Sequence, residues 1–280
     1  MIAASLLFAG MAVCVKLGSA KFSAGELVFY RGVIACLFLY AYIRGSGRSI
    51  ATPHWRAHLN RGAVGFFSLA MYYYAISLIP LATAVTLSYT SPLFLALLLA
   101  FWLREPVRPS MFLTIGAGFA GVALLLQPSL DSGQMLGTLF ALGTGMVSSV
   151  VFLNVRRLGE LGEPEWRTVF YFSLTLALGG LPWMLASLPL HRIDAEGAWL
   201  LAGVCALGSL AQLCMTRAYK HGRTVVTASL SYSTVIFSSI FGIWIWGEHL
   251  PLIAWLGIAL IVASGALTSA LARAAPVEQD

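Results

Sequence analysis

The chain has 280 residues, of which 59% are hydrophobic and 10% charged, with 17 Lys and Arg against 11 Asp and Glu and a net charge of +6. Soluble domains carry about a quarter charged residues, so this composition excludes a water-soluble globule. The positive balance does not indicate nucleic-acid binding, because the arginines are spread over the connections between apolar runs and form no aromatic-rich basic surface.

Apolar runs follow one another along almost the whole chain. At about 1.5 Å per helical residue, each can cross a hydrocarbon core of about 30 Å. The pattern predicts an all-α polytopic membrane protein with ten transmembrane helices, near 2–19, 25–43, 59–78, 81–102, 108–127, 134–154, 167–187, 196–216, 224–246 and 252–271. A β-barrel would show alternating segments of about 10 residues instead. The first run reads as a membrane helix and not as a signal peptide, because it lacks a basic leader, places Lys16 late and offers no small-x-small cleavage site.

In chain order, the first charges inside the runs are Lys16, Glu26 and Arg31. Charge in a bilayer is costly and faces a partner or a cavity. Glu26 and Arg31 are five residues apart, about 140° around an ideal helix, so a direct pair within the helix is not dictated; Lys16 would complete a triangle. The three form either a structural ion cluster with snorkelling side chains or, at Lys16 and Arg31, an attractor for a substrate carboxylate. Tyr72, Tyr73 and Tyr74 in the third run spread over about 200°, so one or two of them can face a cavity. Tyr73 is a candidate for substrate contact, with helix packing as the other reading.

The fourth run is interrupted by Ser88, Tyr89, Thr90 and Ser91, followed by Pro92. Proline removes the bond normally accepted by the Ser88 carbonyl, leaving backbone polarity that needs water, a hydroxyl or a substrate. Ser231, Tyr232, Ser233 and Thr234 repeat the hydroxyl cluster in the ninth run, with Val235 in place of proline. The two clusters either line a cavity or bond between helices. Asn154 and Gln212, near helix ends, read as structural. Trp102, Trp166, Trp199, Trp244, Trp246 and Trp255 read as interfacial anchors. The small-residue series 116–121 and 257–265 suits close helix packing. The four cysteines and five histidines lack the spacing of a metal site.

The recurrence of Leu-Ser-Tyr at 87–89 and 230–232 extends in register. At the constant offset that carries Leu87 onto Leu230, Ala75 meets Ala218, Phe94 meets Phe237, Glu105 meets Glu248, Ile115 meets Ile258 and Ala123-Leu124 meets Ala266-Leu267. The matched connections reverse charge: 75–84 has none where 218–227 carries Lys220 and Arg223, and Arg104 and Arg108 flank Glu105 where Glu248 has no Lys or Arg around it. Five spans per copy, an odd number, put equivalent connections on opposite sides of the membrane. The chain therefore divides into two inverted-topology repeats, residues 1–127 and 128–280. With both termini cytoplasmic, that side receives Arg44, Arg48, Arg56, Arg61, Arg104, Arg108, Arg156, Arg157, Arg167, Arg217, Lys220, Arg223 and Arg273, and the other side only Lys21 and Arg192.

With the REP segment and Gly-rich helix of 104–121, the matching GEHLP and helix of 247–265, and ELVFYR at 26–31, the chain resembles the drug/metabolite transporter superfamily in its ten-helix EamA-type branch. The resemblance covers essentially the whole length. It implies a basket of ten helices around a central cavity, lined mainly by the first, third and fourth helices of each half. It also implies transport of amino acids, other metabolites, drugs or nucleotide sugars, with bacterial aromatic-amino-acid exporters the first comparison.

The function expected is secondary transport in a bacterial inner membrane, export or exchange of an amino-acid-like solute by alternating access. The candidate substrate-binding residues are Lys16, Arg31, Tyr73, Ser88, Tyr89, Thr90, Ser231, Tyr232 and Ser233. No cofactor is expected, the partners are a small-molecule substrate and the lipid bilayer, and a monomer and a homodimer are both compatible. The alternatives are a drug or other metabolite efflux transporter of the same fold, a channel, or a membrane-embedded enzyme. An enzyme finds neither a histidine partner for the hydroxyls nor an acidic pair in the spans.

Overall fold

A computed structural model describes residues 1–101, 132–187, 189–222, 227, 230–248 and 251–271, with 113, 114, 116–118, 120, 121 and 124 from the intervening stretch. The REP segment, Trp102, Arg108, Arg223 and Arg273 lie outside the described residues.

Regular structure among these residues is helical: α1 (Ile2–Gly18), α2 (Ala24–Gly45), α3 (Trp55–Leu78), α4 (Leu81–Ser88), α5 (Ser91–Phe101), α6 (Ser132–Glu160), α7 (Glu165–Ala186), α8 (Ala195–His221), α9 (Ser233–Trp246) and α10 (Leu252–Leu271). In lipid each backbone polar group must be satisfied within its own segment, which makes the helix the available solution for such runs. Four of the helices, α2, α6, α7 and α8, are each long and apolar enough to cross a membrane alone. α4 and α5 together make the fourth span, and α9 is the main part of the ninth. The starts are coded locally. Ser23 and Glu26 close a capping box at the head of α2, and Asp194 accepts from the Gly197 amide at the head of α8. α9 stops at Gly247, whose φ of +61° suits glycine.

Packing is reciprocal between the halves. α1 lies on α8 and α3 on α6; α1 also packs on α9, as α6 packs on α4 and α5; α2 packs on α8, as α3 packs on α7; α2 and α7 pack on each other. Exchanging each span of one half for its counterpart in the other maps this set onto itself. The protein is thus a ten-helix membrane protein built as two inverted five-helix repeats around a central cavity. Gly121 of the fifth span stands against the backbone of Gly257 in α10, where an added Cβ would meet the Gly257 carbonyl oxygen at 2.8 Å, the close approach expected of the small-residue series.

Two faces are defined by the contacts between connections. The basic face joins the α2–α3 connection to the α6–α7 connection, through Thr52 and His54 on Glu163 and Arg167 on the Ser49 carbonyl. The opposite face joins the α1–α2, α3–α4, α7–α8 and α9–α10 connections. Trp199 and Trp244 are 79% and 82% exposed, as membrane anchors should be.

Candidate functional site

Two arginines enter the centre of the molecule, Arg31 from α2 and Arg61 from α3, each 2% exposed. The Arg61 guanidinium lies over the ring of Phe172 at 4.0 Å, and that of Arg31 lies 6.0 Å from the same ring. Arg31 Nη1 donates to the Tyr73 hydroxyl at 3.0 Å, and Arg61 Nη2 donates to Gln212 Oε1 at 3.2 Å. Among the described residues Arg61 Nε and Nη1 have no hydrogen-bond partner and neither arginine forms an ion pair. Aromatic faces, a phenol and an amide hold these charges in place of carboxylates.

Glycine makes the space. A Cβ on Gly65 would stand 2.3 Å from Arg61 Nη1 and 2.9 Å from the Phe172 ring, and one on Gly208 would stand 2.9 Å from Arg31 Nε. The two glycines are themselves related by the offset of the repeat, so each half seats one arginine with the same position of its third helix. This placement corrects the assignment of Arg61 to a basic connection. α3 begins at Trp55, one turn before the apolar run, so Arg61 stands in its second turn, on the face that packs inside. Gln212, read as structural, likewise belongs to the cavity.

Arg61 and Gln212 line a cavity of about 110 Å³ together with Met11, Tyr72, Ser88, Tyr89, Ser91 and Ser148. Its walls come from the middle of the helices and from their halves nearer the basic face. A packed core including Val15, Tyr73, Ile76, Ile79, Leu81 and Val85 fills the other side. Ligand pockets usually hold about 300–1,000 Å³, so helices must part for a solute to enter. A larger groove of about 660 Å³, lined by Phe66, Phe67, Met71, Tyr74, Phe140 and Trp183 among others, has no charged lining, and Phe67 is 61% exposed on it. Volume favours the groove; chemistry favours the cavity.

The two hydroxyl clusters mark equivalent breaks. α4 ends at Ser88 and α5 resumes at Ser91, two residues that flank Tyr89 and Thr90; in the ninth span Tyr232 immediately precedes α9. Side chains recover part of the interrupted ladder: Thr90 Oγ1 donates to the Leu87 carbonyl at 2.6 Å and Ser88 Oγ to that of Ala84 at 2.8 Å. The first helix of each half serves the break in the other half. Gly145 of α6 lets that helix approach Leu87 and Ser88, its added Cβ falling 3.1 and 3.2 Å from their carbonyl oxygens, and Ser5 of α1 donates to the Leu230 carbonyl at 3.3 Å.

Charge at the two faces is paired. On the basic face Glu163, 4% exposed, accepts from Thr52 and from Arg167 Nη1 at 2.9 Å, with His54 Nδ1 at 3.1 Å and His58 Nε2 at 3.3 Å. Burial pushes its carboxyl up, but the contacts from Thr52, Arg167, His54 and His58 outweigh that and hold it at about 2 instead of 4.5. On the opposite face Glu26, fully buried, accepts from the His191 amide at 2.9 Å and faces His191 Nδ1 at 2.8 Å. Lys16 is there too, donating to the Ile79 carbonyl at 2.7 Å and standing 3.8 Å from Glu248. Glu248 accepts from the Leu81 and Ala82 amides at the head of α4, a capping role favoured by the helix dipole.

The triangle of Lys16, Glu26 and Arg31 does not form, since Lys16 and Glu26 sit at the opposite face and Arg31 sits with Tyr73 in the centre. Ser88 and Tyr89 line the cavity, whereas Tyr73 and Arg31 are not among its lining residues and are hydrogen-bonded to each other. Thr90, Ser231 and Tyr232 are buried at the helix breaks, and Ser233 opens α9.

The EamA-like transporter family model matches the chain twice, over residues 1–127 and 135–270. The chain belongs to the EamA-like transporter family. It is a multi-pass membrane transporter of small molecules and not an enzyme. Relatives of this EamA-like chain include the pseudopaline exporter CntI of Pseudomonas aeruginosa, 29% identical over 92% of the chain and 90% of that protein. A riboflavin transporter of Brucella anthropi is 27% identical over 94% of both. A transporter of Helicobacter pylori without an assigned substrate is 26% identical over 94% of the chain and 91% of that protein. A solved structure with 20% identity superposes at a TM-score of 0.71 and covers 97% of the chain and 96% of its own, which supports the fold. Among the described residues no group of three or more His, Cys, Asp or Glu is arranged to hold a metal ion.

Proposed function

We propose that this EamA-like transporter exports or exchanges a small carboxylate-bearing metabolite, amino-acid-like in size, by alternating access across a bacterial inner membrane, with its termini and basic face toward the cytoplasm. The observation that carries the proposal is Arg61: a buried guanidinium on the cavity wall, with, among the described residues, two nitrogens unpartnered and no carboxylate paired to it. A buried cation left in this state is stabilised by an anion that comes and goes. Arg31, Tyr73, Ser88 and Tyr89 complete the central site. Thr90, Ser231, Tyr232 and Ser233 act at the helix breaks, where backbone carbonyls become available as the halves rearrange. Lys16 serves the pathway at the opposite face, through Glu248.

Residues 1–127 and 128–280 are the units that rock against each other. The Glu163 cluster on one face and the Glu26, Lys16 and Glu248 contacts on the other are the ties that the two accessible states break in turn. The relatives named for pseudopaline export and riboflavin transport support a metabolite as cargo; the cationic cavity supports the carboxylate, and aromatic amino acids belong to the class to be tested. Counterflow in proteoliposomes loaded with a panel of amino acids and organic acids tests the proposal. Saturable exchange, at least tenfold weaker in Arg61→Gln, is expected. Absence of counterflow for the whole panel would overturn it.

A further inference from the structure

We infer that the central site selects a solute with two anionic groups, such as a dicarboxylate or an acidic amino acid, over singly charged or zwitterionic solutes of the same length. The inference rests on the transport reading above and deepens it.

Charge in the centre is out of balance. A guanidinium stays protonated at neutral pH, so Arg31 and Arg61 bring two fixed positive charges there. Two partly buried cations elsewhere in the chain are paired with its own acids. Lys16 and Arg167, each 18% exposed, have Glu248 at 3.8 Å and Glu163 at 2.9 Å. Arg31 and Arg61 are buried more deeply than either, yet their partners are the neutral Tyr73 and Gln212. One carboxylate would balance only one of them.

Geometry allows both to be met by one molecule. The two guanidinium carbons lie 6.0 and 4.0 Å from the centre of the same Phe172 ring, so their separation cannot exceed the sum of those distances. Arg61 is on the wall of the closed cavity and Arg31 is not, so a small diacid spans that gap, with a carboxylate at each guanidinium, once the helices part to admit it. Arg61 has two unused nitrogens to offer. The rest of the wall is neutral, with hydroxyls such as Ser88, Tyr89, Ser91 and Ser148 set among apolar side chains such as Met11 and Phe152, and the lining includes no carboxylate for an ammonium. An amino group can be tolerated by these hydroxyls, but it is not what the wall selects.

Matched pairs of solutes test this: glutamate against glutamine, and succinate against butyrate. The full chain, purified in detergent, is titrated with each while its thermal unfolding is followed, since a ligand that binds the folded state raises Tm with concentration. The diacid of each pair is expected to half-saturate the shift at a concentration about tenfold or more below that of its partner, the worth of one charge-assisted hydrogen bond. Arg31→Gln and Arg61→Gln should each erase the difference, and Arg61→Lys should restore part of it. Equal responses within each pair, or no response to either diacid, would overturn the inference; so would a wild-type preference in both glutamine variants. If a glutamine variant does not elute as a folded species, the wild-type ratios and Arg61→Lys decide. Saturable counterflow of singly charged solutes with no advantage for diacids would sink the inference and leave the transport reading standing, whereas absence of all flux would sink the transport reading.

Discussion

The two halves share a scaffold and divide the chemistry. At the offset that relates the two Leu-Ser-Tyr segments, Gly65 matches Gly208, but Arg61 matches Val204, Leu69 matches Gln212 and Tyr73 matches Thr216. The first half thus brings both central cations, and the second brings the glycine beside Arg31, the amide on Arg61 and the Phe172 ring under both. Duplication preserved what backbone geometry requires: a small residue where the third helix passes a bulky neighbour, and a broken helix at Leu-Ser-Tyr. Charge was free to differ, because a pseudo-symmetric cavity needs only one copy of each charged group near its axis.

The same reciprocity with unequal chemistry holds at the faces. Glu163 of the second half binds His54 and His58 of the first, and Glu26 of the first half binds His191 of the second. Glu163 additionally holds Arg167, and His191 is 48% exposed where His58 is 1% exposed. The tie on the basic face is therefore the stronger.

Replacing these acids breaks the comparison most severely. Glu163→Gln should destabilise the protein by about 3 kcal/mol, the scale of a buried carboxylate that loses its charged partners, and Glu26→Gln by clearly less. Thermal unfolding of both variants in detergent checks the order, and equal losses would deny the asymmetry. The sign with pH follows from a carboxyl whose folded value, about 2, lies below its ordinary 4.5. Its contribution is fully present above about 4.5 and is lost as pH falls toward 2, so wild type should converge on Glu163→Gln across that window.

The paired glycines probe the shared scaffold. Gly65→Ala puts a methyl 2.3 Å from Arg61 Nη1 and against the Phe172 ring, and Gly208→Ala puts one 2.9 Å from both Arg31 Nε and Met11 Sδ. Both should lower counterflow with about 1–3 kcal/mol of overpacking cost, the first more than the second, because its contact is closer and lies on the cavity wall. Unchanged flux in Gly65→Ala would show that Arg61 is free to relocate.

The smallest effect belongs to the two tyrosines. Tyr232 has a buried hydroxyl without a hydrogen-bond partner among the described residues, so Tyr232→Phe should leave Tm within the equivalent of about 1 kcal/mol or raise it. Tyr89 lines the cavity, and Tyr89→Phe should weaken counterflow several-fold with little change in Tm. Identical behaviour of the two variants would mean that the breaks are equivalent in function as well as in position.

Much of this was legible in the chain. Hydropathy locates the spans, and Pro92 marks the break in the fourth; the equivalent break at Tyr232, where Val235 replaces proline, appears only in the structure. Arg31 stood out as a charge inside an apolar run. Arg61 did not, because it stands near the start of its run among residues that read as a basic connection, and its signal was the matched glycine four residues later. Glu163 and Glu248 carry no signal for a similar reason: each lies just beyond a helix end, where polar residues need no explanation until their partners are known, and Gln212 reads as structural because the apolar run stops near 216 whereas α8 continues to His221. Lys16 is legible as a charge that needs a partner, but nothing local says that its helix ends beside α4 and Glu248.

The amino-acid sequence by itself determined the membrane class, the number of spans, the duplication and its inversion. Each of these depends on hydrophobicity and charge summed along one segment or compared at a constant offset. Tertiary structure alone decided which charges are paired and which are left open, because ion pairing depends on distances of a few ångströms between spans far apart in the chain. Only the folded chain shows that the acids of the described residues are engaged at the two faces while the two central arginines have none.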